Sequence, residues 1–263
     1  MTPDTLFTAL WNDYIDRLCP SAEIVHKLLR EEDVLINDHI ALRTFNSSPL
    51  GIATLAKPFL DAGYVACGDY EFESKKLVAK HYEHPDPKQP KVFISELKVD
   101  ECSSELQQIV AKLVEQLDPS KLKGHEFLFG GRLWDLSDTD YQTLASESEY
   151  AAWLAAHGYG ANHFTVSVNQ LNQFSEVKDV NDHLRQSGFK INESGGEVKG
   201  SPDVLLEQSS TMADKVEVTF SEGKKTIPGG FYEFAKRYPM ANGELYTGFV
   251  AASADKIFES TDS

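Results

Sequence analysis

The sequence predicts an α+β protein made of two pseudo-repeated strand-helix-strand-strand-strand modules, whose curved mixed sheets enclose a metal cavity with helices outside. Three observations predict it. The element order occurs twice, one residue offset relates the two occurrences, and each opens on a strand that begins with a histidine. The 263 residues suit a single structural domain with a first module over 32–100, a helical linker segment over 101–157, and a second module with a closing segment over 158–263.

The elements follow in order. Residues 5–18 set Phe7, Leu10, Trp11, Tyr14, Ile15 and Leu18 at helical spacing, and Pro20-Ser21 stops that helix and caps a second over 22–31. The stretch Asp38–Phe45 alternates, with His39, Ala41, Arg43 and Phe45 on one face and Ile40, Leu42 and Thr44 on the other, which is a strand. A helix over 51–62 tolerates Pro58, and Gly63-Tyr64 then turns the chain into strands near 64–68, 76–83 and 91–99. Helical stripes return over 103–117 and across most of 138–157. The second module repeats the order with a strand at 160–168, a helix at 175–187, the turn Gly188-Phe189, and strands at 204–208 and 215–220. The run 229–239, rich in aromatics and charge, reads either as a segment closing over a cavity or as a glycine turn with an amphipathic packing helix.

His39 maps onto His163 with an offset of 163 − 39 = 124, which also relates Leu60 to Leu184 and Lys91-Val92 to Lys215-Val216. The turn glycines 63 and 188 are 125 apart, so the second turn carries one extra residue that is absorbed before the later strands. Equivalent strands in paired sheets can aim their first residues at one point, so the two imidazoles are expected to converge. The same offset takes Phe93 to Glu217, between the apolar Val216 and Val218. Two histidines and one carboxylate with open coordination positions form the facial triad of non-haem iron(II) oxygenases. A lone strand histidine is ordinarily a hydrogen-bonded structural residue; the symmetry and the matched carboxylate favour ligation. Phe93 cannot ligate and Glu96 faces away, so three ligands are expected rather than four.

Arg43 follows His39 by four residues on the same strand face, about 13 Å along the strand. A guanidinium there suits the far carboxylate of a substrate, although a strand arginine is ordinarily solvated or salt-bridged. The run His81-Tyr-Glu-His84-Pro-Asp86 is a second metal-donor cluster, at a strand end, and reads as adventitious surface binding. His26, His125, His157 and His183 have no matched partner and carry no chemistry in this reading.

A net charge of −16 with no basic run speaks against nucleic acid and anionic membranes. No apolar run approaches the roughly 18 residues of a membrane span. The first thirty residues lack a secretory pattern, which predicts a cytoplasmic protein, and Cys19, Cys67 and Cys102 read as reduced, structural thiols. Walker, dinucleotide, nucleophile-elbow and CxxC motifs are missing from the sequence.

The sequence resembles the 2-oxoadipate dioxygenase/decarboxylase family of the vicinal oxygen chelate superfamily over most of its length. The resemblance rests on Asp38-His-Ile-Ala-Leu-Arg-Thr-Phe45, Asn162-His163, the strand bearing Glu217, Gly230-Phe-Tyr-Glu-Phe-Ala-Lys-Arg237 and Ser253-Ala-Asp-Lys-Ile-Phe-Glu-Ser260. It implies Fe(II) held by His39, His163 and Glu217, with Arg43 on the substrate's distal carboxylate and a substrate contact at Ala252 and Ser253. The chain is shorter than the better understood bacterial members and has Ala252 where a valine is expected, which bears on the substrate. The implied reaction takes 2-oxoadipate and O2 to 2-hydroxyglutarate and CO2. Rival expectations are another enzyme of the superfamily (an isomerase, a lyase or a ring-cleaving dioxygenase) or a non-catalytic binder of a small ligand.

Overall fold

The first helix of the chain begins where Thr2 caps it and Pro3 fixes its first turn, giving α1 (Pro3–Asp13), a π-helical turn over Tyr14–Leu18, and α2 (Ser21–Leu29). The computed structural model describes residues 1–30 and 35–261. The expected end of the second helix at 31 and the expected start of the first module at 32 therefore lie outside the described residues.

The first module is β1 (Asn37–Phe45), α3 (Ile52–Asp61), β2 (Val65–Phe72), β3 (Leu77–Glu83) and β4 (Lys91–Leu97). Helices α4 (Ser104–Glu115), α5 (Asp138–Glu147) and α6 (Glu149–His157) form the connection. The second module is β5 (His163–Ser167), α7 (Val177–Gln186), β6 (Lys199–Ser201), β7 (Leu206–Ser210) and, after a hairpin of β8 (Lys215–Phe220) and β9 (Gly223–Pro228), β10 (Phe231–Arg237). A last helix, α8 (Ala251–Phe258), follows.

Eight strands form one mixed sheet in the order β2-β3-β4-β1-β5-β10-β7-β6, with β8 and β9 apart as a two-stranded sheet. The modules join where β1 and β5 run antiparallel, His39 opposite Thr165 and Ala41 opposite His163, so a pseudo-twofold axis passes between the two histidines. Each central strand has a parallel outer neighbour, β4 beside β1 and β10 beside β5. A contiguous apolar core lies under the helices, where Trp11 and Tyr14 of the N-terminal helical segment pack on Phe164 and Tyr232 with ring centroids 5.0–6.5 Å apart. Helix α6 is buried along its length, and its Trp153 indole donates to the Gly229 carbonyl at 2.7 Å.

One register in the sequence reading fails. Phe93 pairs with Ala41 and Glu233 with Thr165, and Ala41 and Thr165 are themselves related by 165 − 41 = 124. The counterpart of Phe93 is thus Glu233, at 233 − 93 = 140, and not Glu217. The inserted hairpin, Lys215–Pro228, accounts for most of the 16-residue excess. The matched letters Lys91-Val92 and Lys215-Val216 are coincidental. The run 229–239 is neither a lid nor a helix, since most of it forms β10, a strand buried on both faces between β5 and β7.

Candidate metal centre

His39 opens the ladder of β1 and His163 that of β5, and their rings meet on the concave face with centroids 5.6 Å apart and planes at 85°. Both are buried, and each is held by the residue before it. His39 Nδ1 lies 2.7 Å from Asp38 Oδ1 and His163 Nδ1 lies 3.1 Å from Asn162 Oδ1. A side-chain oxygen at each Nδ1 fixes the proton there and leaves each Nε2 lone pair facing inward.

Glu233 completes the set from β10. Its Oε2 is 3.1 Å from His163 Nε2 and its Oε1 is 3.6 Å from His39 Nε2, while Gln208 donates to Oε1 at 2.6 Å. The donor atoms of His39, His163 and Glu233 all lie within 4.8 Å of one another. Glu233 Oε2 is buried and has no hydrogen-bond partner despite its closeness to His163, because the Nε2 that faces it carries a lone pair rather than a proton in this tautomer. A buried carboxylate oxygen without a partner is costly. Two imidazoles and one carboxylate are the donor set of a facial-triad metal, so His39, His163 and Glu233 fit a divalent cation, which would satisfy that oxygen.

The electrostatics of the two imidazoles agree. Burial pushes His39 down, against the pull of Asp38, and pushes His163 down further with His39 beside it, so both rings are the neutral imidazoles that ligate metal. Burial pushes Glu233 up to about 8, opposed by the Gln208 hydrogen bond. Burial also works against the Asp38 carboxylate, but Arg237 and His39 outweigh it and hold that carboxyl far below its ordinary range.

Arg237 is the hub of this support. Its Nε and Nη2 grip Asp38 at 2.6 and 2.8 Å, and its Nη1 donates to the carbonyls of Tyr246 and Gly248 at 3.0 and 2.7 Å. The strap so anchored carries Phe249, whose ring packs edge-on against His39 at 4.8 Å. Phe249 with Phe93, Gln208, Ala254, Ile257 and Phe258 closes the centre to a cavity of about 20 Å³, room for little more than one water or ion. Larger hollows of about 570 and 700 Å³ lie elsewhere and include none of the three ligands.

A sequence model of the 2-oxoadipate dioxygenase/decarboxylase family matches residues 9–122 and 131–244. The chain belongs to this family. It is 37% identical to the chloroplastic 2-oxoadipate dioxygenase/decarboxylase of Arabidopsis thaliana, over 92% of this chain and 73% of that protein. The solved hydroxyglutarate synthase of Oryza sativa in complex with 2-oxoadipate is 36% identical, covers 98% of this chain and 91% of its own, and superposes with a TM-score of 0.91. A solved Shewanella frigidimarina protein is 60% identical over 95% of this chain and 98% of its own, with a TM-score of 0.92. A solved Ralstonia eutropha protein named for the glyoxalase superfamily, 23% identical over 95% of this chain and 86% of its own with a TM-score of 0.79, shares the fold.

Of the residues singled out from the sequence, His39 and His163 come together and Glu217 does not. Glu217 lies on the β8–β9 hairpin with a side chain 60% exposed, in an ion pair with Lys224 at 2.7 Å. Glu233 takes its place. The signal for it was a carboxylate inside an aromatic run, Gly-Phe-Tyr-Glu-Phe, where an unpaired charge has no business unless something binds it. Arg43 is buried near the centre, as its strand face required. Its guanidinium lies 4.9 Å from the Tyr150 and Trp153 rings and 5.6 Å from Phe258, with Glu149 at 3.2 Å and Thr261 at 3.4 Å. Its Nε has no partner. Ala252 points outward from α8 and Ser253 is buried toward Gly200, so neither lines the cavity; their neighbours Ala254, Ile257 and Phe258 do.

Proposed function

We propose that this chain is an iron(II)-dependent dioxygenase/decarboxylase that converts a 2-oxo dicarboxylic acid, 2-oxoadipate, with O2 to 2-hydroxyglutarate and CO2. The observation that carries the reading is the orphaned Glu233 Oε2 facing two imidazole Nε2 atoms whose Nδ1 positions are already committed. His39, His163 and Glu233 would hold the metal, which when bound supplies Lewis-acid polarisation of the 2-oxo acid and one-electron chemistry with O2.

The chain's own residues do the rest. Asp38 and Asn162 keep the two imidazoles in one tautomer, and Gln208 holds Glu233 in orientation. The Thr165 hydroxyl, 3.1 Å from His39 Nε2, can rotate away when that lone pair is used. Phe93, Phe249, Ile257 and Phe258 keep bulk water from the reacting carbon, which protects a reactive intermediate from side reactions. Arg43 lies beyond Phe258, a ring that touches both the cavity and the guanidinium. Outward movement of α8 would carry Phe258 with it, admit the substrate and present Arg43 to the distal carboxylate, so the distance from ligands to guanidinium sets the preferred chain length.

Anaerobic reconstitution with iron(II), followed by O2 consumption and product analysis against a panel of 2-oxo acids, tests the proposal. The expected result is one CO2 and one 2-hydroxyglutarate per O2 with 2-oxoadipate, and slower turnover of shorter or monocarboxylic acids. Turnover without O2 uptake would favour an isomerase or lyase of the same superfamily, and ligand binding without turnover a binding protein; either would overturn the proposal.

A further inference from the structure

The described residues bring a second set of three metal-donor side chains, Cys67, His81 and Glu83, within 4.8 Å of one another. Strand alternation puts His81 and Glu83 on the same face of β3. Across the ladder Val65 faces Glu83, Ala66 faces Tyr82 and Gly68 faces His81, with the register shifting between Ala66 and Gly68. Cys67 is the extra residue of that bulge. Two residues of β2 therefore stand against His81, and the bulge aims the Cys67 thiol toward the imidazole and carboxylate. A side chain at position 68 would come within 2.8 Å of His81 Nδ1 and 3.0 Å of the Tyr70 hydroxyl, so glycine there keeps the space both groups use.

The imidazole is oriented from both ends. His81 Nε2 lies 2.9 Å from Glu83 Oε1, and Nδ1 lies 2.8 Å from the Tyr70 hydroxyl, which accepts from the Phe249 backbone N–H at 3.1 Å. The Glu83–His81–Tyr70 chain is satisfied as an ordinary polar relay, and beside it stands the exposed Cys67 thiol, which donates only a long contact to the Val65 carbonyl at 3.5 Å and takes no part in that relay. We propose that Cys67, His81 and Glu83 form a second metal site, which takes a borderline divalent cation of the zinc class through thiolate, imidazole Nε2 and carboxylate, with a fourth position open to solvent.

Donor chemistry selects that class, because a thiolate with an imidazole suits zinc or cobalt better than magnesium or calcium. Two anionic donors balance a 2+ ion. On loading, the His81 proton moves to Nδ1 and is donated to the Tyr70 oxygen, the outer contact that such ligands ordinarily make. Burial and the nearby Glu83 push the Cys67 thiol up without a metal, and a bound cation reverses this by taking the thiolate and releasing its proton. The site shares an aromatic neighbour with the first centre: the Phe249 ring is 5.3 Å from the His81 ring and 4.8 Å from that of His39. A cation held there would stiffen the strap that covers the His39 centre.

The test is an anaerobic cobalt(II) titration of the chelator-stripped full chain, followed in the near ultraviolet where thiolate-to-cobalt charge transfer absorbs. The expected result is two tight equivalents, one of which brings the thiolate band. Cys67→Ser should lose the band and one equivalent, whereas His39→Ala should lose the other equivalent and keep the band, which separates this site from the proposed iron centre. Glu83→Gln, at a half-buried position, should weaken the band-linked equivalent without unfolding the chain. A wild-type titration that saturates without the band, or a band that survives Cys67→Ser, would overturn the proposal.

Discussion

Asp38→Asn removes one charge from the best-supported contact of the metal centre and keeps its shape. In the wild-type protein Asp38 Oδ1 is shared between His39 Nδ1 at 2.7 Å and Arg237 Nη2 at 2.8 Å, and Oδ2 takes Arg237 Nε at 2.6 Å. Asparagine keeps at most one acceptor for these donors, and Arg237, only 4% exposed, is left without its counter-ion. Stripping one partner from a buried pair costs about 3–5 kcal/mol. Arg237 still donates to the Tyr246 and Gly248 carbonyls, which places the expected loss near the lower end, about 3 kcal/mol. The effect on metal is separable. If the new amide presents its NH2 to His39, the imidazole must carry its proton on Nε2, the ligating atom, and affinity should fall about 10- to 100-fold. Denaturant unfolding of the metal-free protein reads the first quantity and anaerobic iron(II) titration the second. Stability unchanged within about 0.5 kcal/mol together with unchanged iron affinity would refute the role given to Asp38 and Arg237.

Arg43→Ala should keep its iron but lose about 30- to 1000-fold in kcat/KM with 2-oxoadipate, the worth of a charge-assisted hydrogen bond of about 2–4 kcal/mol, and much less with a 2-oxo acid carrying an apolar tail; equal losses on both substrates would reduce Arg43 to a structural residue. His157 is buried with its ring 2.7 Å from the Pro228 carbonyl, and burial pushes it down from 6.5 to about 3. Its contribution to stability is complete above pH 6.5 and is lost as pH falls toward 3, because only the unfolded chain takes the proton in that window. From pH 7 to pH 5 the wild type should therefore lose about 2 kcal/mol more than His157→Gln in denaturant unfolding, and parallel losses would exclude His157 as the source.

The two histidines were legible because strand alternation and a common offset do not depend on what lies between later strands. The offset then failed at the carboxylate, where the hairpin Lys215–Pro228 breaks the register between β7 and β10. That hairpin alternates as well as any core strand, so no local pattern marks it as an insertion. β10 hid for the opposite reason: buried on both faces, it shows no period-two pattern, and its Glu, Ala, Lys and Arg are good helix formers. Arg43 was placed correctly by its face, but its aromatic cage comes from α6 and α8, far along the chain, and only tertiary packing shows that Phe258 stands between it and the cavity. The cover at Phe249 was likewise invisible, since it depends on Arg237 reaching back to Asp38.

The assignment of the third ligand is the most direct test of the whole account, because two carboxylates compete for it and the structure separates them. Tight iron(II) equivalents and O2 consumption with 2-oxoadipate, measured side by side for the wild type, Glu233→Ala and Glu217→Ala, decide between them. Glu217→Ala should match the wild type in both, its side chain being paired with Lys224 on an exposed hairpin. Glu233→Ala should bind one equivalent fewer and consume no O2. Retention of iron and turnover in Glu233→Ala, with their loss in Glu217→Ala, would contradict the centre described above.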